Sequence, residues 1–561
     1  MGRGGQGVAA VNRRAVSEAP AADAKSNKNK NKIARAPSAK PPFTLGDLRR
    51  AIPPHCFQRS LLRSSAYLLI DLAFAALFLY ATTRFDDIHQ LVDPAVESRL
   101  PAHLQPYVRP AVSVILWGLY TWLQGCVCTG LWVIAHECGH GAFSDYAFVN
   151  DTVGMVVHSW LLVPYFSWKY SHRRHHSNTG SLENDEGAVS EYLQHPLQVF
   201  VLSIFITLTP SCPHSLSPRQ VFVPARREQL GPVSEYLQHP FGRVLSILVF
   251  VPARREQLGP VSEYLQHPFG RERVSVPVFV PARREQLGPV SEYLQHPFGR
   301  VLSIFITLTL GWPLYLAFNV SGHEYKGVHA NHFSPYSGIF CDRERFWVVV
   351  SDLGLLGVLG CLYSLGSAYG LAWVLKVYVC PLLIVNMFLV LITLLQHTHP
   401  ALPHFDSTEW EWLRGALATV DRDYGYLNIV HHHIADTHVA HHIFSTMPHY
   451  HAEEATRAIK PILKDYYQFD GTPIVKALWR EVSQCVCVAP DADGPKGVYC
   501  SPPFSPSLPS HHSLHSPPFF LPFSASFSAL GFSFAITAAA ALISLASFPT
   551  NGPSLISRPA R

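Results

Sequence analysis

Three short runs hold the residues best suited to metal-assisted chemistry: His136-Glu137-Cys138-Gly139-His140, His172-Arg173-Arg174-His175-His176 and His438-Val439-Ala440-His441-His442. On a helix, positions i, i+3 and i+4 share a face. The second and third runs would therefore each present three imidazoles together, and the first adds His136 and His140. A neutral imidazole is a good ligand for Fe, Zn or Cu. Eight exceed the four ligands that close a zinc site and suit two octahedral metals with open positions. With 31 histidines in 561 residues, about 0.1 chance H-x-x-H-H matches are expected, and two occur. Taken alone, HECGH also fits the H-E-x-x-H pattern of zinc proteases, with Glu137 as general base, but that reading leaves the other two runs without a task. Arg173 and Arg174 would suit a lipid headgroup, which is compatible with ligation by their neighbours. His431–His433 read as a surface run and are not counted as ligands.

The elements that carry these runs are apolar. Only 15% of residues are charged and 48% are hydrophobic, against about 25% charged in soluble domains. This excludes disordered, collagen-like and coiled-coil classes and argues against an ordinary cytosolic enzyme. A net charge of +5 gives no support to nucleic-acid binding. The 11 cysteines form no paired framework, and neither Cys126/Cys128 nor Cys485/Cys487 has C-x-x-C spacing. They read as reduced thiols.

Apolar runs near the length needed to cross a bilayer lie at Ser65–Thr82, Val112–Ala135, Val301–Val320, Phe346–Leu365 and Gly370–Leu395. Arg49, Arg50, Arg59 and Arg63 precede the first and favour a cytosolic N-terminus. Asp71 lies near the cytosolic end of that run and reads as an interfacial residue. Residues 153–168, interrupted by Pro164, read as an interfacial element. All three histidine runs share one side of a membrane only if an even number of crossings separates the second from the third. One of the three intervening apolar runs is then interfacial or re-entrant: Gly370–Leu395, with Lys376 and Pro381, or Phe346–Leu365, with Asp352.

Residues 1–40 read as a disordered polar tail with no secretory signal. VFVPARREQLGPVSEYLQHPFGR occurs three times unchanged, at Val221–Arg243, Val249–Arg271 and Val278–Arg300. Solenoid repeats drift on their surfaces, so total identity points to recent duplication or a faulty gene model. The core is expected in two parts, 41–186 and 278–497, separated by an insertion at 187–277. Residues 498–561 are a low-complexity and apolar tail that reads as translated non-coding sequence at least as well as a further span.

PPFTLGDLRRAIPPHCF, AHECGHGAFSDY, LLVPYFSWKYSHRRHHSNTGSLEND, QHTHPALPHFDSTEWEWLRGALATVDRDYG and DTHVAHHIFSTMPHYHAEEATRAIKPIL resemble the plant-type endoplasmic-reticulum omega-6 (delta-12) oleate desaturases of the membrane fatty acid desaturase family. The resemblance covers most of 41–186 and 278–497. It implies an all-α integral membrane protein with about four transmembrane helices under a cytosolic helical cap that holds a di-iron site. By position it makes His136, His140, His172, His175, His176, His438, His441 and His442 iron ligands. It also calls for a further ligand at the end of the last span, His397, with His399 as the rival. Asp185, Asp436 or Glu137 would orient these rings.

The implied reaction converts oleoyl to linoleoyl chains on a phosphatidylcholine-like membrane lipid. It uses O2 and electrons from NADH through cytochrome b5 reductase and cytochrome b5, at the endoplasmic-reticulum membrane. Homo- or hetero-oligomers with other desaturases are compatible with the family. Abstraction of hydrogen from an unactivated methylene needs a strong oxidant, and the depth of an acyl chain in an apolar tunnel would choose the carbon. A hydroxylase, epoxygenase or conjugase would use the same site; a membrane zinc protease and an inactive paralogue are the rivals from other classes. Two departures stand out: Gly141 follows the first run where the family often has His, and KGVY runs into CSPPF instead of an aromatic C-terminal retrieval signal.

Overall fold

A computed structural model describes residues 33–186, 282–283 and 297–501, apart from 324, 326–329, 486, 492 and 493. Most of the polar tail, the insertion at 187–277, the first two repeat copies and nearly all of 498–561 lie outside the described residues.

The fold is mostly helical. The helices are α1 (Leu45–Ala51), α2 (Leu61–Thr82), α3 (Phe85–Glu97), α4 (Val108–His140), α5 (Ala147–Trp160), α6 (Tyr165–Asn178), α7 (Pro297–Phe318) and α8 (Arg345–Tyr369). They continue as α9 (Leu371–His397), α10 (Trp412–Ala416), α11 (Leu427–Val430), α12 (His438–Ile443), α13 (His449–Leu463) and α14 (Ile474–Gln484). Among the described residues, five helices are long and apolar enough to cross a membrane: α2, α4 with its preceding turn, α7, α8 and α9. At 1.5 Å per residue the 33 residues of α4 extend about 50 Å, well beyond the ~30 Å of bilayer hydrocarbon. The excess length allows its last turns, with His136 and His140, to stand outside the apolar layer.

Both runs named as candidates for an interfacial or re-entrant element are continuous helices. Phe346–Leu365 lies inside α8, and Gly370–Leu395 covers the capping glycine and most of α9. Pro381 is accommodated because the preceding turn, Leu375–Val379, is a π-turn, which widens the helix where the proline lacks an N–H. The unusual helix is α7. At its start, the Arg300 guanidinium lies 5.8 Å from the centre of the Trp479 ring on α14. At its far end, Leu316 O accepts from His332 N at 2.8 Å, and His332 Nε2 is 3.0 Å from Ser171 Oγ on α6. Residues 153–168 form the end of α5, a turn at Leu161–Pro164 and the start of α6; at 14 residues each, neither helix is long enough to cross.

One core lies among α4, α6, α7 and α9, with Trp132, Trp168, Trp312 and Phe388 buried in it. A second packs α1 and α10 against α12 and α13. Two small sheets depart from the all-α expectation: β1 (Ala282–Arg283), β5 (Cys487–Pro490), β6 (Val498–Cys500) and β2 (Pro403–Phe405) in that order, and β3 (Asp421–Arg422) beside β4 (Phe469–Asp470). Strands of two to four residues carry no readable alternation, which is why sequence periodicity misses them. β6 antiparallel to both β2 and β5 carries the fold past residue 497. At the other end, the tail is already tied in before residue 41: Ala36 N donates to Ala401 O at 2.9 Å.

Candidate metal centre

The histidines arrive from four helices. His136 and His140 are one turn apart at the end of α4, which Gly141 closes with φ +71°. His172, His175 and His176 lie on α6, His397 is the last residue of α9, and His438, His441 and His442 occupy the six-residue α12. Ligand atoms of His136, His140, His172 and His441 lie within 4.8 Å of one another, as do those of His175, His397 and His442. His176 joins the first group: its Nε2 is 3.1 Å from His172 Nε2, and its ring centre is 4.5 Å from that of His140. His438 joins the second, with Nε2 3.1 Å from His397 Nε2 and 3.2 Å from His442 Nε2. The rings of His176 and His442 stack at 4.1 Å across the boundary. Both α6 and α12 thus split their imidazoles between two neighbouring groups, of five and four.

The second group shows whether a cation fits. Asp185 Oδ1 is 2.7 Å from His175 Nδ1, and Ile434 O is 3.0 Å from His438 Nδ1. Thr179 Oγ1 donates to His175 O at 2.7 Å, so it accepts from His442 Nδ1 at 3.2 Å. All three rings therefore carry their proton on Nδ1 and present Nε2 as a lone pair. Those lone pairs meet each other or His397 Nε2 at 3.1–3.3 Å. Lone pairs at that distance repel unless a cation lies between them, and the His438–His442 pair, with both Nδ1 protons already donated, has no ring proton left to place there. Two nitrogens bound at right angles to one metal, each at roughly 2.1 Å, stand about 3.0 Å apart; His136 Nε2 and His441 Nε2, in the first group, are 3.0 Å apart.

Burial reinforces this. It pushes His172, His176, His441 and His442 well below the ordinary imidazole range, with neighbouring imidazoles adding to the effect, and brings His438 to about 3. These rings are neutral at cellular pH, the form that binds metal. Trp168 stacks on His172 at 4.4 Å and Trp132 packs 5.3 Å from His136, giving the first group an aromatic wall.

Other residues singled out from sequence fall differently. Glu137 is buried behind a ring: its Oε2 accepts from His449 N at 3.1 Å and its Oε1 lies 3.7 Å from His441 Nδ1. That is the place of an orienting group, and not of a base beside a metal-bound water. Asp436 orients no box histidine, because its carboxylate holds His433 Nδ1 at 2.9 Å. His399 is outside both groups; its Nδ1 accepts from Ala401 N at 3.1 Å. Arg174 is committed to Glu344 at 2.5 Å. His431–His433 are not a surface run: His431 and His432 are buried, and His432 Nε2 is 2.7 Å from Asp71 Oδ2. Asp71, expected near the cytosolic end of the first run, is a buried partner of His432. Thr179, Ile434 O and the tryptophans were not anticipated; Trp168, four residues before His172, was legible by helical spacing alone.

An apolar cavity of about 550 Å3 lies among α2, α4, α5 and α9, lined by residues including Leu72, Gln124, Leu131, Val157 and Tyr378. None of the nine histidines lines it.

This geometry defines a class: mostly helical chains with helices long and apolar enough to cross a membrane and histidine clusters able to hold metal. The family profile described as Fatty acid desaturase matches residues 112–252 and 289–472, and a domain of unknown function matches 7–79. The chain is 48% identical to a delta(12)-acyl-lipid-desaturase of Punica granatum over 84% of its own length and 94% of that relative's. It is 47% identical to an endoplasmic-reticulum omega-6 fatty acid desaturase, isozyme 1, of Glycine max over 84% and 93%. An oleoyl-12-hydroxylase of Ricinus communis is 45% identical over 83% and 92%. The chain belongs to the fatty acid desaturase family.

Proposed function

We propose that the chain is an acyl-lipid delta-12 desaturase that converts oleoyl to linoleoyl chains on a phosphatidylcholine-like lipid. The observation that carries this is the convergence of nine imidazoles into adjacent sets of five and four, with lone pairs facing inward, in a member of this family. His136, His140, His172, His176 and His441 would hold one iron; His175, His397, His438 and His442 would hold the other. The chemistry that such a pair supplies when bound is activation of O2 to remove hydrogen from an unactivated methylene. The chain's own part is to fix that set. Asp185, Ile434 O and Thr179 lock ring tautomers, Glu137 backs His441, and the buried Trp132 and Trp168 limit access of water to the first group.

Electrons come, in this reading, from NADH through cytochrome b5 reductase and cytochrome b5, at the endoplasmic-reticulum membrane with the histidines on the cytosolic side. Four helices cross: α2, α4, α8 and α9. Contacts at both ends of α7, to α14 and to the segment bonded to α6, support its lying along the boundary, and this supplies the even number of crossings. Residues 187–277 are inserted between the two parts of the core. The parallel pairing of Ala282 with Cys487 supports the third repeat copy as the one that rejoins it. Expression of the full chain in a yeast that lacks dienes tests the function: linoleate supports it, and absence of any new product refutes it. A 12-hydroxylated product would favour the activity named for the Ricinus relative. Sequencing the transcript across codons 187–277 tests the insertion.

A further inference from the structure

Away from the nine histidines, four ligand-type side chains meet where the N-terminal segment touches α13. His55 and Cys56 come from the tight turn Pro54–Phe57, and His451 and Glu454 from the start of α13. Residues three apart on a helix share a face, so the latter two point together at the turn. One ligand atom from each of the four lies within 4.8 Å of all the others. His55 Nε2 is 2.9 Å from Glu454 Oε2 and 3.7 Å from Cys56 Sγ, and the His55 and His451 rings meet edge-on at 5.3 Å.

We propose that His55, Cys56, His451 and Glu454 form a mononuclear zinc-type site, separate from the histidine centre. One thiol, two imidazoles and one carboxylate are donors that zinc takes in closed tetrahedral sites, where neighbouring ligand atoms stand about 3.3–3.6 Å apart. The 3.7 Å sulfur–nitrogen distance is already near this value, and the 2.9 Å contact opens by a few tenths of an ångström. A thiolate and a carboxylate neutralise a dication. The donor set differs from the all-imidazole centre by its sulfur, which favours a softer metal. Cys56 is fully buried while His55 and Glu454 are 53% and 41% exposed, so the sulfur lies on the dry side and the metal has access from solvent. Zinc binds the thiolate, so it displaces a proton on binding.

The site clips the segment before α2 to the helix after the third histidine run. Ser60 N, at the N-cap of α2, donates to Tyr450 Oη at 2.9 Å beside it, and α13 begins with His449, whose amide caps Glu137. Zinc here fixes the helix that backs the centre.

The test uses the full chain in nanodiscs without a polyhistidine tag, with Co2+ as the spectroscopic probe and zinc measured by mass spectrometry. Wild-type protein should hold roughly one zinc per chain and, with Co2+, show a thiolate-to-metal charge-transfer band. Cys56→Ser and His451→Ala should each lower zinc affinity at least tenfold, and Cys56→Ser should abolish the band. Cys341→Ser, an exposed cysteine, should leave both unchanged. If Cys56→Ser fails to fold, His451→Ala carries the zinc measurement. A wild-type protein with no zinc and no band, or variants that keep both, would overturn the proposal.

Discussion

Replacing Asp185 by Asn isolates the contribution of one buried carboxylate to the histidine centre. Its side chain is 1% exposed. Oδ1 faces His175 Nδ1 at 2.7 Å while Oδ2 accepts from Gly180 N at 3.0 Å. Both partners are donors. Asn offers one oxygen and one NH2 group, so in either orientation one buried donor faces another donor. If the oxygen turns to Gly180, His175 escapes the clash only by moving its proton to Nε2, which removes that nitrogen as a ligand. An unsatisfied buried donor costs about 1–3 kcal/mol, or roughly 5- to 150-fold in a binding constant, in line with the ~10–100-fold typical of such orienting partners. The assay is iron per purified chain under limiting iron, beside the linoleate-to-oleate ratio in yeast; both should fall. Asp436→Asn is the control, because Asp436 holds His433, which lies outside the nine. Wild-type iron affinity in Asp185→Asn, or a larger loss in Asp436→Asn, would refute the reasoning.

His397→Ala should lose iron from the second group and all product, whereas His399→Ala should keep both groups loaded; equal effects on iron content would undo the choice between them. Arg422 is buried between Asp470 and Glu481 and its Nε donates to Leu395 O at 2.6 Å. Arg422→Met should therefore destabilise the chain by about 3–5 kcal/mol, the usual cost of stranding buried charge, measured as a fall in Tm by scanning fluorimetry. Chelation of iron should also lower Tm, since a ligand at about 100 times its Kd contributes roughly 2.7 kcal/mol to the folded state. An unchanged melting curve after complete iron removal would mean that neither group of rings holds iron.

The eight run histidines were legible because i, i+3 and i+4 spacing is a property of short stretches of sequence. Their division into five and four was not. It depends on how α6 and α12 are brought together, and α10 packs on both, as where its Trp412 Nε1 donates to His176 O at 3.2 Å. Asp185 was legible as an acid near the second run, but nothing separated it from Asp436. The difference is a turn: Gly180, with φ +74°, reverses the chain after α6 and brings Asp185 back over His175. Asp71 and His432 are 361 positions apart, and no periodicity within either segment announces a pair at that separation. The five apolar runs were readable from composition, but hydropathy cannot tell a helix that crosses from one that lies flat.

Tautomer control joins these observations to function. A neutral histidine can offer either nitrogen, so a set of nine rings has many proton arrangements, most of them unable to direct every lone pair to one place. In three of the four rings of the second group the choice is removed: by a carboxylate at His175, a main-chain carbonyl at His438 and a hydroxyl at His442. The hydroxyl cannot donate to His442, because its own hydrogen is given to His175 O in the last turn of α6, so it accepts there. Fixing His442 therefore depends on α6 remaining helical to its end at Asn178, with Thr179 as its C-cap. A change that frays that last turn should loosen the second group before the first, even though it touches no ligand.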